Sequence, residues 1–590
     1  MRAHLQLIDS QAQGRPMPNA AHEPLHLETD VLVIGAGGAG MYAAIESARG
    51  GASVLLADRA LIGRGGATVM AMMTVAVALG QDGPDDPAFH FADTLAAGRG
   101  LCNAPLSQLL CEDGPACILE MDAWGVGWAR NGSAIKAAFA PGHDRPRCVY
   151  VDFLNTGPAV SKTLRTALHR HKGVRRVGDL LIVDLVKSGD AVTGAVAIDM
   201  STGAPVTIAA GVTIVATGGL TRLYRRNSAS ANMGGDGYAL GLRAGARLID
   251  MEFVQFFPIG HLAPRMIGLD PIMWDPFRYK LGGRLLNGRM EDFIGRYGTE
   301  ETGRYITTRD QATYAITKEV EAGRGTPHGG AYLSFMHLSE AELKAAFGPV
   351  IDRIRDNGID LTKMPVEVAP IAHYHMGGIA VDTDMQTGVS GLLAAGEAVG
   401  GANGANRLSG NAITEALVFG RRAGRTAAEM VRLGASATAF RTADAEAALS
   451  LATAQGTRGP NLAAQVAELQ SLMWEQAGPF RTGEKLQKGL ARLDALVASL
   501  PERPPGAPAA FDTERLDWFD LRNMTLVART VIEAALLRTE SRGAHQREDH
   551  PGLSDAWTCN QFITLSGAKP VTARGPLIDP PKLPAHEAAQ

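Results

Sequence analysis

The segment VLVIGAGGAG at residues 31–40 decides the fold of this chain. Its apolar residues predict a buried strand, and Gly35, Gly37 and Gly40 follow in the spacing of a dinucleotide-binding turn. Without side chains, these positions allow a tight turn, close approach of a pyrophosphate and tight packing of the next helix on the strand. Asp58 ends the following apolar strand, where a carboxylate can accept hydrogen bonds from an adenosine ribose. The pattern therefore predicts a strand-helix-strand unit that binds a dinucleotide.

Two further glycine-rich segments lie far along the chain, VATGG at 215–219 and GLLAAGEAVGG at 391–401. Each begins with small and apolar residues that predict a strand, and each ends in glycine. We interpret the three distant segments as parts of one dinucleotide site.

Length and composition set the broad class of protein. At 590 residues the chain is too long for one core, so two to four domains are expected. The hydrophobic fraction of 46% and charged fraction of 20% are those of a globular protein, so large unstructured regions are not expected. The net charge of −4 argues against nucleic acid as a main partner.

The cysteines and the first residues bear on compartment. None of the five cysteines forms a CxxC pair, so an iron-sulfur cluster within this chain is not expected, and reduced thiols in the cytoplasm are favoured. Residues 1–28 are polar and predict a mobile leader, not a signal peptide. No run of 18 uncharged apolar residues occurs, so no membrane span is expected.

An ordered series of motifs follows the first glycine turn: ATGG, MEFVQFFPIG, TTRD, HYHMGG, AAGE, GANRLSGNAITEALVFGRRAG and ESRGAHQRED. In this order the chain resembles the flavoprotein subunit family of succinate dehydrogenase and fumarate reductase, over about residues 27–549. L-aspartate oxidase belongs to this family, and adenylylsulfate reductase is a more remote relative. The resemblance implies an α/β fold, in which a doubly wound FAD-binding domain of the glutathione-reductase-like type is interrupted by an α+β capping domain and followed by a C-terminal helical domain.

The changes of pattern along the chain give the expected boundaries of these parts. They are a mobile leader at 1–28, the first part of the FAD-binding domain at 29–246, the capping (substrate) domain at 247–365, the second part of the FAD-binding domain at 366–435, the helical domain at 436–545 and an extended C-terminal tail at 546–590.

The resemblance implies FAD as the cofactor. Glu397 matches the glutamate that holds the ribityl chain of FAD, and the helix from Asn411 would direct its N-terminal N–H groups at the flavin pyrimidine edge. Residues 63–80 match a segment that carries a covalently attached histidine in membrane-bound relatives. No histidine lies there in this chain, which predicts noncovalent FAD.

No metal site is expected. The cofactor-binding residues that the glycine turns and the resemblance imply are Gly35, Gly37, Gly38, Gly40, Asp58, Arg59, Gly65, Gly66, Ala67, Thr68, Ala216, Thr217, Gly218, Asp236, Glu397, Arg407, Ser409, Asn411, Ala412 and Ile413.

The resemblance also implies the catalytic residues. Arg309 matches a proton-shuttling arginine, and Arg407 matches an arginine that clamps a substrate carboxylate with its planar fork. His373 matches a substrate-binding histidine, with His375 as the alternate. Other interpretations stay open: a helix-start ion pair for Arg309, a phosphate-binding or structural role for Arg407, and a hydrogen-bonded core histidine for His373.

Departures from the family pattern bear on the substrate. This chain reads QFFPIG where dicarboxylate enzymes read QFHPTG, so Phe257 and Ile259 replace two hydrogen-bonding groups. Burying a second carboxylate against them would cost several kcal/mol, unless His261 compensates. YKLGG stands in place of RGEGG, with Tyr279 at the position of an arginine. Asp275, Arg278 and Tyr279 are then the candidates for the proton relay to Arg309.

We interpret the chain as an FAD-dependent oxidoreductase acting on a carbon-carbon bond next to the carboxylate of a small substrate whose other end is apolar. One alternative is a succinate dehydrogenase, fumarate reductase or L-aspartate-oxidase-like enzyme. Another is a non-catalytic flavin-binding protein. Electrons would pass to a separate iron-sulfur or other carrier protein, or to a small acceptor. The ESRGAHQRED segment is expected either near the flavin entrance or as a solvated helix end.

Overall fold

The computed structural model describes residues 24–152, 154–267, 269, 272–297, 309–457 and 459–578. Its helices are α1 (Gly38–Arg49), α2 (Pro87–Ala97), α3 (Ala104–Ala123), α4 (Thr156–His169), α5 (Asp236–Ala244), α6 (Asp275–Leu281), α7 (Arg309–Glu321), α8 (Glu340–Phe347), α9 (Val350–Asp356), α10 (Asn411–Arg432), α11 (Glu446–Thr453), α12 (Leu462–Gln476), α13 (Gly483–Ser499) and α14 (Thr513–Leu537).

The strands are β1 (Leu25–Ile34), β2 (Val54–Ala57), β3 (Val75–Ala76), β4 (Arg130–Asn131), β5 (Ala134–Ile135), β6 (Ala137–Ala138), β7 (Cys148–Val149), β8 (Val174–Val177), β9 (Leu180–Ser188), β10 (Ala191–Asp199), β11 (Pro205–Val215), β12 (Leu248–Ile249), β13 (Val254–Ala263), β14 (Arg284–Leu286), β15 (Ala331–Ser334), β16 (Val366–His375), β17 (Gly378–Ile379), β18 (Leu392–Ala394), β19 (Asn560–Ser566) and β20 (Lys569–Gly575).

The central sheet brings the three glycine-rich segments together. Its strands run in the order β8-β2-β1-β11-β10-β9, with β18 paired to β11. Ile34 at the end of β1 pairs in parallel with Ala57 and Val215, and Val215 pairs with Ala394. Four parallel strands therefore end at one level of one sheet edge. This register confirms that the three segments meet at a single place, where ligands of open α/β sheets bind.

Helices α1 and α10 pack closely against each other on this sheet. A Cβ atom at Gly424 would lie 2.4 Å from the carbonyl oxygen of Ala43 and 2.8 Å from Cβ of Glu46. A Cβ atom at Gly420 would lie 2.4 Å from the carbonyl oxygen of Ala39. Two glycines in α10 thus allow the helix backbones to approach at near contact.

A second lobe lies between β12 and β16 in the chain. It contains the four-stranded antiparallel sheet β13-β16-β15-β14 and the helices α6 to α9. Trp274, Phe277 and Phe335 form part of its core, separate from the core of the central sheet. The long helices α12, α13 and α14 follow in sequence and pack against one another. The α/β fold class with an inserted α+β lobe and C-terminal helices is therefore confirmed.

The two ends of the chain differ from the sequence expectation. Strand β1 begins at Leu25, inside the predicted leader, and residues 1–23 lie outside the described part of the chain. The predicted extended tail contains a hairpin, because β19 and β20 pair with each other and β19 pairs with β12. The prolines that favoured a tail lie mostly outside these strands. No helix within the described ranges is both long and apolar enough to cross a membrane.

Of the two alternatives for the ESRGAHQRED segment, the solvated helix end is wrong. Glu540 and His545 are buried, and so is the neighbouring Arg538. The Arg538 guanidinium donates to Glu252 at 2.6 Å and to Glu540 at 2.9 Å. The segment is a buried ion-pair network that joins the end of α14 to the strand leading into the second lobe.

Gly424→Ala should destabilise the protein. Alanine is favoured over glycine within a helix by up to about 1 kcal/mol, but backbone atoms of α1 cannot rotate away from the added methyl group. Overpacking of this kind costs about 1–3 kcal/mol, so the free energy of unfolding should decrease. Thermal unfolding midpoints at equal scan rate measure it. Gly295→Ala is the control, because no atom lies within 4 Å of its added Cβ. Equal midpoints for the two variants would show that α1 and α10 are not in close contact.

Candidate cofactor and substrate site

One cleft of about 810 Å³ opens at the edge where the four parallel strands end. Its lining includes residues that follow each of β1, β2, β11 and β18, together with residues of the second lobe. The glycine turns and the second lobe therefore face the same space.

The first glycine turn has the geometry of a phosphate cradle. Gly35 has φ of +101°, and a Cβ at Gly40 would lie 1.8 Å from the carbonyl oxygen of Gly35. Gly37 lines the cleft, and a Cβ there would meet no atom within 4 Å. Helix α1 starts directly after Gly37 without a side-chain cap. The positive end of its dipole therefore faces space that an anionic phosphate can fill.

Asp58 stands beside this turn and lines the cleft. Its carboxylate accepts hydrogen bonds from the backbone N–H of Ala36 at 2.6 Å and of Ala60 at 2.8 Å. Burial nevertheless raises the pKa of Asp58 above its ordinary value, because burial disfavours the charged form more than these donors favour it. This rigidly held carboxyl can bind hydroxyl groups of a sugar.

Arg59 and Asp236 also line the cleft, and both are tied to helix α14. The Arg59 guanidinium donates to Asp520 at 2.5 Å and to Asp236 at 3.4 Å, while Asn523 donates to Asp236 at 2.9 Å. These ion pairs hold this end of the cleft against the C-terminal helices.

Residues 65–68 also line the cleft. The backbone N–H of Gly66 donates to Ser230 at 2.7 Å, and the N–H of Gly38 donates to Thr68 at 3.1 Å. Ala216, Thr217 and Gly218 complete the opposite side. The structure thus brings this predicted segment to the turns after β1 and β11.

Glu397 follows β18 and lines the centre of the cleft. Its carboxyl accepts the backbone N–H of His375 at 3.1 Å, and a Cβ at Gly219 would lie only 2.4 Å from Oε1. Burial raises the pKa of Glu397 to about 8. At neutral pH it is therefore mostly a neutral acid, which can donate and accept hydrogen bonds with a ligand hydroxyl.

The start of helix α10 closes the far end of the cleft. Ser409, Ala412 and Ile413 line it, and Gly410 precedes the helix without a side-chain cap. Asn411 does not line the cleft, because its side chain is buried and accepts a hydrogen bond from His90 at 2.8 Å. Within the described ranges, every predicted cofactor-binding residue lines the cleft except Gly40 and Asn411.

These features fit a flavin dinucleotide that binds in one orientation along the cleft. A sugar-binding carboxyl lies at one end, a phosphate cradle follows, an acid able to bind hydroxyls lies at the centre, and a helix N-terminus closes the other end. The groups that line it include backbone N–H donors and carboxyls that accept hydrogen bonds, as a dinucleotide with a ribityl chain requires.

The second lobe and the loop before α10 add charged and aromatic side chains at the flavin end. Arg407 is 6% exposed, its guanidinium carbon lies 4.5 Å from the centre of the Tyr374 ring, and Gln255 accepts its Nη2–H at 3.0 Å. His373 shares a hydrogen bond with Ser228 at 2.7 Å. The ring of Phe257 meets that of His373 edge to face at 5.2 Å. Arg407, His373 and Phe257 all line the cleft, so the structure brings these three predicted residues together.

Strand irregularities keep three other predicted residues out of the lining. The β13–β16 register shifts between Phe257 and Gly260, so Ile259 is fully buried in the core of the second lobe. His261 is held between Trp274 at 3.1 Å and the carbonyl oxygen of Pro264 at 2.5 Å. Strict two-residue alternation, which would place Ile259 beside Phe257, therefore fails here.

His375 is the third residue outside the lining. The register also shifts opposite His373, because Tyr374 pairs with Gln255 while Ala372 pairs with Phe256. The extra residue lets His373 and Tyr374 both reach the cleft, and His375 turns into the core. There it bonds to the Tyr238 hydroxyl and to the carbonyl oxygen of Met251, each at 3.1 Å. Burial lowers its pKa to about 3, so it is neutral.

Two predicted residues cannot be placed in the site. Arg309 is the first residue of α7 and Tyr279 lies in α6, but their side chains are outside the described part of the structure, as are residues 301–308. Their roles remain predictions. The relay candidate Asp275 is 1% exposed and lines the cleft, while Arg278 is fully buried.

Sequence reasoning missed several lining residues. Met73 from the first domain and Met273 and Phe347 from the second lobe give the cleft an apolar end. Lys280 stands near this end, with its ammonium group 5.1 Å from the Phe347 ring centre. No local motif marks these positions, because they meet only after the lobes pack. Within the described ranges, no cluster of three or more His, Cys, Asp or Glu could hold a metal ion.

Comparisons with known proteins agree with this geometry. The FAD binding domain family matches residues 30–413, and the fumarate reductase flavoprotein C-terminal family matches residues 466–575. The chain is 34% identical to a fumarate reductase (CoM/CoB) subunit of Methanothermobacter marburgensis, over 90% of this chain and 96% of that protein. It is 32% identical to L-aspartate oxidase of Streptomyces coelicolor, over 92% of each. The solved structure of Mycobacterium smegmatis Sdh1 in complex with UQ1 matches at a TM-score of 0.86 and 33% identity, covering 94% of this chain and 95% of that one.

Gly37→Ala should weaken FAD binding without weakening the fold. Its φ of −72° suits alanine, and the added methyl group meets no protein atom, so the cofactor-free protein should unfold at an unchanged temperature. The methyl group would occupy space needed by the pyrophosphate, and we expect at least about tenfold weaker binding, or about 1.4 kcal/mol. Fluorescence titration of the apoprotein with FAD measures this. Unchanged affinity would place the pyrophosphate elsewhere.

Proposed function

Since the chain belongs to the FAD-dependent flavoprotein family of succinate dehydrogenase, fumarate reductase and L-aspartate oxidase, we propose that it adds or removes hydrogen across a carbon-carbon bond next to a carboxylate. The chain is an FAD-dependent oxidoreductase. FAD, when bound, supplies the acceptor or donor of the hydride at its N5 atom. The protein has to bind the substrate, orient it, exclude water and move a proton.

One observation carries the proposal: a buried arginine, a histidine and an apolar surface share the cleft that ends at the N-terminus of α10. The Arg407 guanidinium is held by Gln255, by the carbonyl oxygen of Leu408 and by the ring face of Tyr374. Held in this way, it loses little freedom when it binds a carboxylate through its planar fork. We assign Arg407 to the substrate carboxylate.

His373 is proposed as the second carboxylate-binding group. Its hydrogen bond to Ser228 fixes one ring nitrogen and so orients the other. The edge-to-face contact with Phe257 limits rotation of the ring. A fixed imidazole beside Arg407 can orient the carboxylate without adjusting to it.

Proton transfer is proposed to involve Arg309, with Asp275 as the acid that resupplies it. Asp275 lines the cleft in the first turn of α6. The carboxyl of Asp275 thereby offers a relay group on the same helix as Leu281, which occupies the acidic position of the family motif.

The far end of the substrate is proposed to be apolar. Phe257, Met273 and Ile371 form a small cluster there, with Met73 packed against it. Desolvating a second carboxylate against these groups costs several kcal/mol. A simple dicarboxylate is the second candidate, and Lys280 at the rim favours it, because an ammonium group could bind the second charge.

Electron exchange is proposed to use a separate iron-sulfur or other carrier protein. The five cysteines lie at 102, 111, 117, 148 and 559, and four of them are buried as free thiols. Without a CxxC pair they do not suit a cluster. The fumarate reductase relative from Methanothermobacter marburgensis is one chain of a larger enzyme, and Sdh1 was solved in complex with UQ1. Both relatives support an electron partner outside this chain.

The FAD is proposed to be noncovalent. The segment 63–80 contains no histidine, and Gly65 to Thr68 meet the cleft through backbone and small side chains. Acid precipitation should therefore release all flavin into the supernatant. Absorbance of supernatant and pellet measures the partition. Flavin that stays in the washed pellet would show a covalent bond to another residue.

Arg407→Ala should weaken carboxylate binding by about 2–5 kcal/mol, the range for leaving a buried charge unpaired. FAD content serves as the control for folding. An amide analogue of the ligand should bind wild type weakly and lose little more in the variant. If the analogue shows the full additional loss, the carboxylate binds somewhere else.

An anaerobic panel of saturated carboxylates, scored by flavin bleaching, tests the proposed function. We expect monocarboxylates with apolar or aromatic ends to bleach the flavin and succinate to do so poorly. Bleaching by dicarboxylates alone would favour the second candidate. If no compound on a panel of either class bleaches the flavin, the proposal is wrong.

The substitution Phe257→His tests whether Phe257 sets the preference between monocarboxylates and dicarboxylates. Among the two replaced positions, Phe257 lines the cleft and Ile259 does not, so the single change should improve dicarboxylate use relative to monocarboxylates. The ratio of kcat/KM values is the measure, because specificity is a difference of transition-state free energies. Ile259→Thr is the matched control and should leave the ratio unchanged. Efficient succinate turnover by wild type would contradict the assignment of Phe257.

A further inference from the structure

Behind the flavin end of the cleft lies a carboxyl that the proposed reaction does not use. Glu415 is in the second turn of α10 and is 1% exposed. Its neighbours Ala412 and Ala416, on the same helix, line the cleft. The Glu415 carboxyl is therefore buried from solvent, on a helix whose neighbouring residues line the cofactor site.

Neutral groups hold this carboxyl. The Tyr374 hydroxyl donates to Oε2 at 2.7 Å, and the Asn403 amide donates to the same oxygen at 2.5 Å. Glu415 forms no ion pair with any residue in the described ranges. A buried carboxylate without an ion pair is costly, so its charged and neutral forms are close in free energy.

Tyr374 connects Glu415 to the substrate side. Its ring lies under the Arg407 guanidinium at 4.5 Å, and its edge lines the cleft. A change in the charge of Glu415 is transmitted through the hydrogen-bonded hydroxyl to the ring that supports Arg407. The carboxyl acts on the cleft through Tyr374 and does not touch it.

The charged and titratable groups that face Glu415 come from three elements. Arg407 lies in the loop before α10, Glu397 in the turn after β18, and Tyr374 in β16. Burial raises the pKa of Glu415 to about 7. The hydrogen bonds from Tyr374 and Asn403 and the charge of Arg407 lower this pKa, but by less than burial raises it. Burial raises the pKa of Glu397 to about 8, and Glu415 adds to that shift. Near pH 7, Glu397 keeps its proton and Glu415 is divided between two forms.

We propose that Glu415 is a positioning residue that takes up a proton from solvent when the cleft gains a negative charge, and releases it when that charge leaves. Two electrons and one proton added to bound FAD leave one extra negative charge in the cleft. A nearby negative charge favours the neutral form of a carboxyl. A second proton then forms an O–H bond on Glu415, so the net charge of the cleft is unchanged. Arg407 keeps a constant electrostatic environment in both states.

Spectroelectrochemical titration of the holoenzyme tests this without any substrate, so its outcome is independent of the proposed reaction. The pH dependence of the flavin midpoint potential gives the number of protons taken up per two electrons. For wild type we expect about one proton near pH 5.5, where Glu415 is already neutral, and about one and a half near pH 7, where about half of Glu415 is charged. For Glu415→Gln we expect about half a proton fewer than wild type in the second range and no difference in the first.

A second readout separates this role from a structural one. Infrared difference spectra between reduced and oxidised holoenzyme should show a carboxylic acid C=O band that is missing in Glu415→Gln. Glu367→Gln is the matched control. Glu367 is a buried acid on the same strand as Tyr374, paired with His328 at 2.9 Å and outside the cleft lining. Its removal should leave both readouts as in wild type.

Tyr374→Phe provides a test if Glu415→Gln does not fold or does not hold FAD. The lost hydrogen bond favoured the charged form of Glu415, so the pH range of extra proton uptake should move upward. Proton uptake by Glu415→Gln equal to wild type over the whole range overturns the proposal. So does an unshifted range in Tyr374→Phe.

Discussion

The common level at which four parallel strands end is the constraint on which the site depends. Ile34, Ala57, Val215 and Ala394 are fixed to one another by ladder hydrogen bonds, although they lie up to 360 residues apart in sequence. A one-residue slip of any strand would turn its apolar side chains to the wrong face. The buried register therefore holds the phosphate cradle, Asp58 and Glu397 in fixed relation before any ligand binds. The close contact of α1 with α10 then sets the distance between the two ends of the cleft.

One strand pair of the second lobe carries several of the side chains that this lobe places at the cleft. Strands β13 and β16 carry Phe257, His373 and Tyr374, and two register shifts decide which of their side chains enter the cleft. A bulge is a local insertion that turns the following residues over, so it can separate neighbours of a motif. This explains why His373 and His375, two residues apart, have unrelated surroundings. One is held at the cleft by Ser228, and the other is a neutral core histidine.

The sequence was sufficient where a function is confined to a short segment. The glycine turns, Asp58 and Glu397 each depend on a strand end and the few residues after it, and the ends of β1, β2, β11 and β18 could be located from apolar runs followed by glycine or acid. It was insufficient where position depends on pairing between distant strands. Ile259 and His261 follow a period that the bulge interrupts, and Met273 reaches the cleft only through the packing of two lobes. No local pattern around Glu415 marks its role, because its partners Tyr374 and Asn403 come from other segments.

The hairpin near the carboxyl end has a consequence for biosynthesis. Strand β19 pairs with β12, which leaves the ribosome about 300 residues earlier, and residues after β12 lead straight into the second lobe. At typical elongation rates of about 5–20 residues per second, β12 waits at least about 15 seconds for its partner. During that time its edge and the buried acids beside it are exposed to water and to other nascent chains. The order of translation therefore leaves β12 without this neighbour until residues 560–566 have been synthesised.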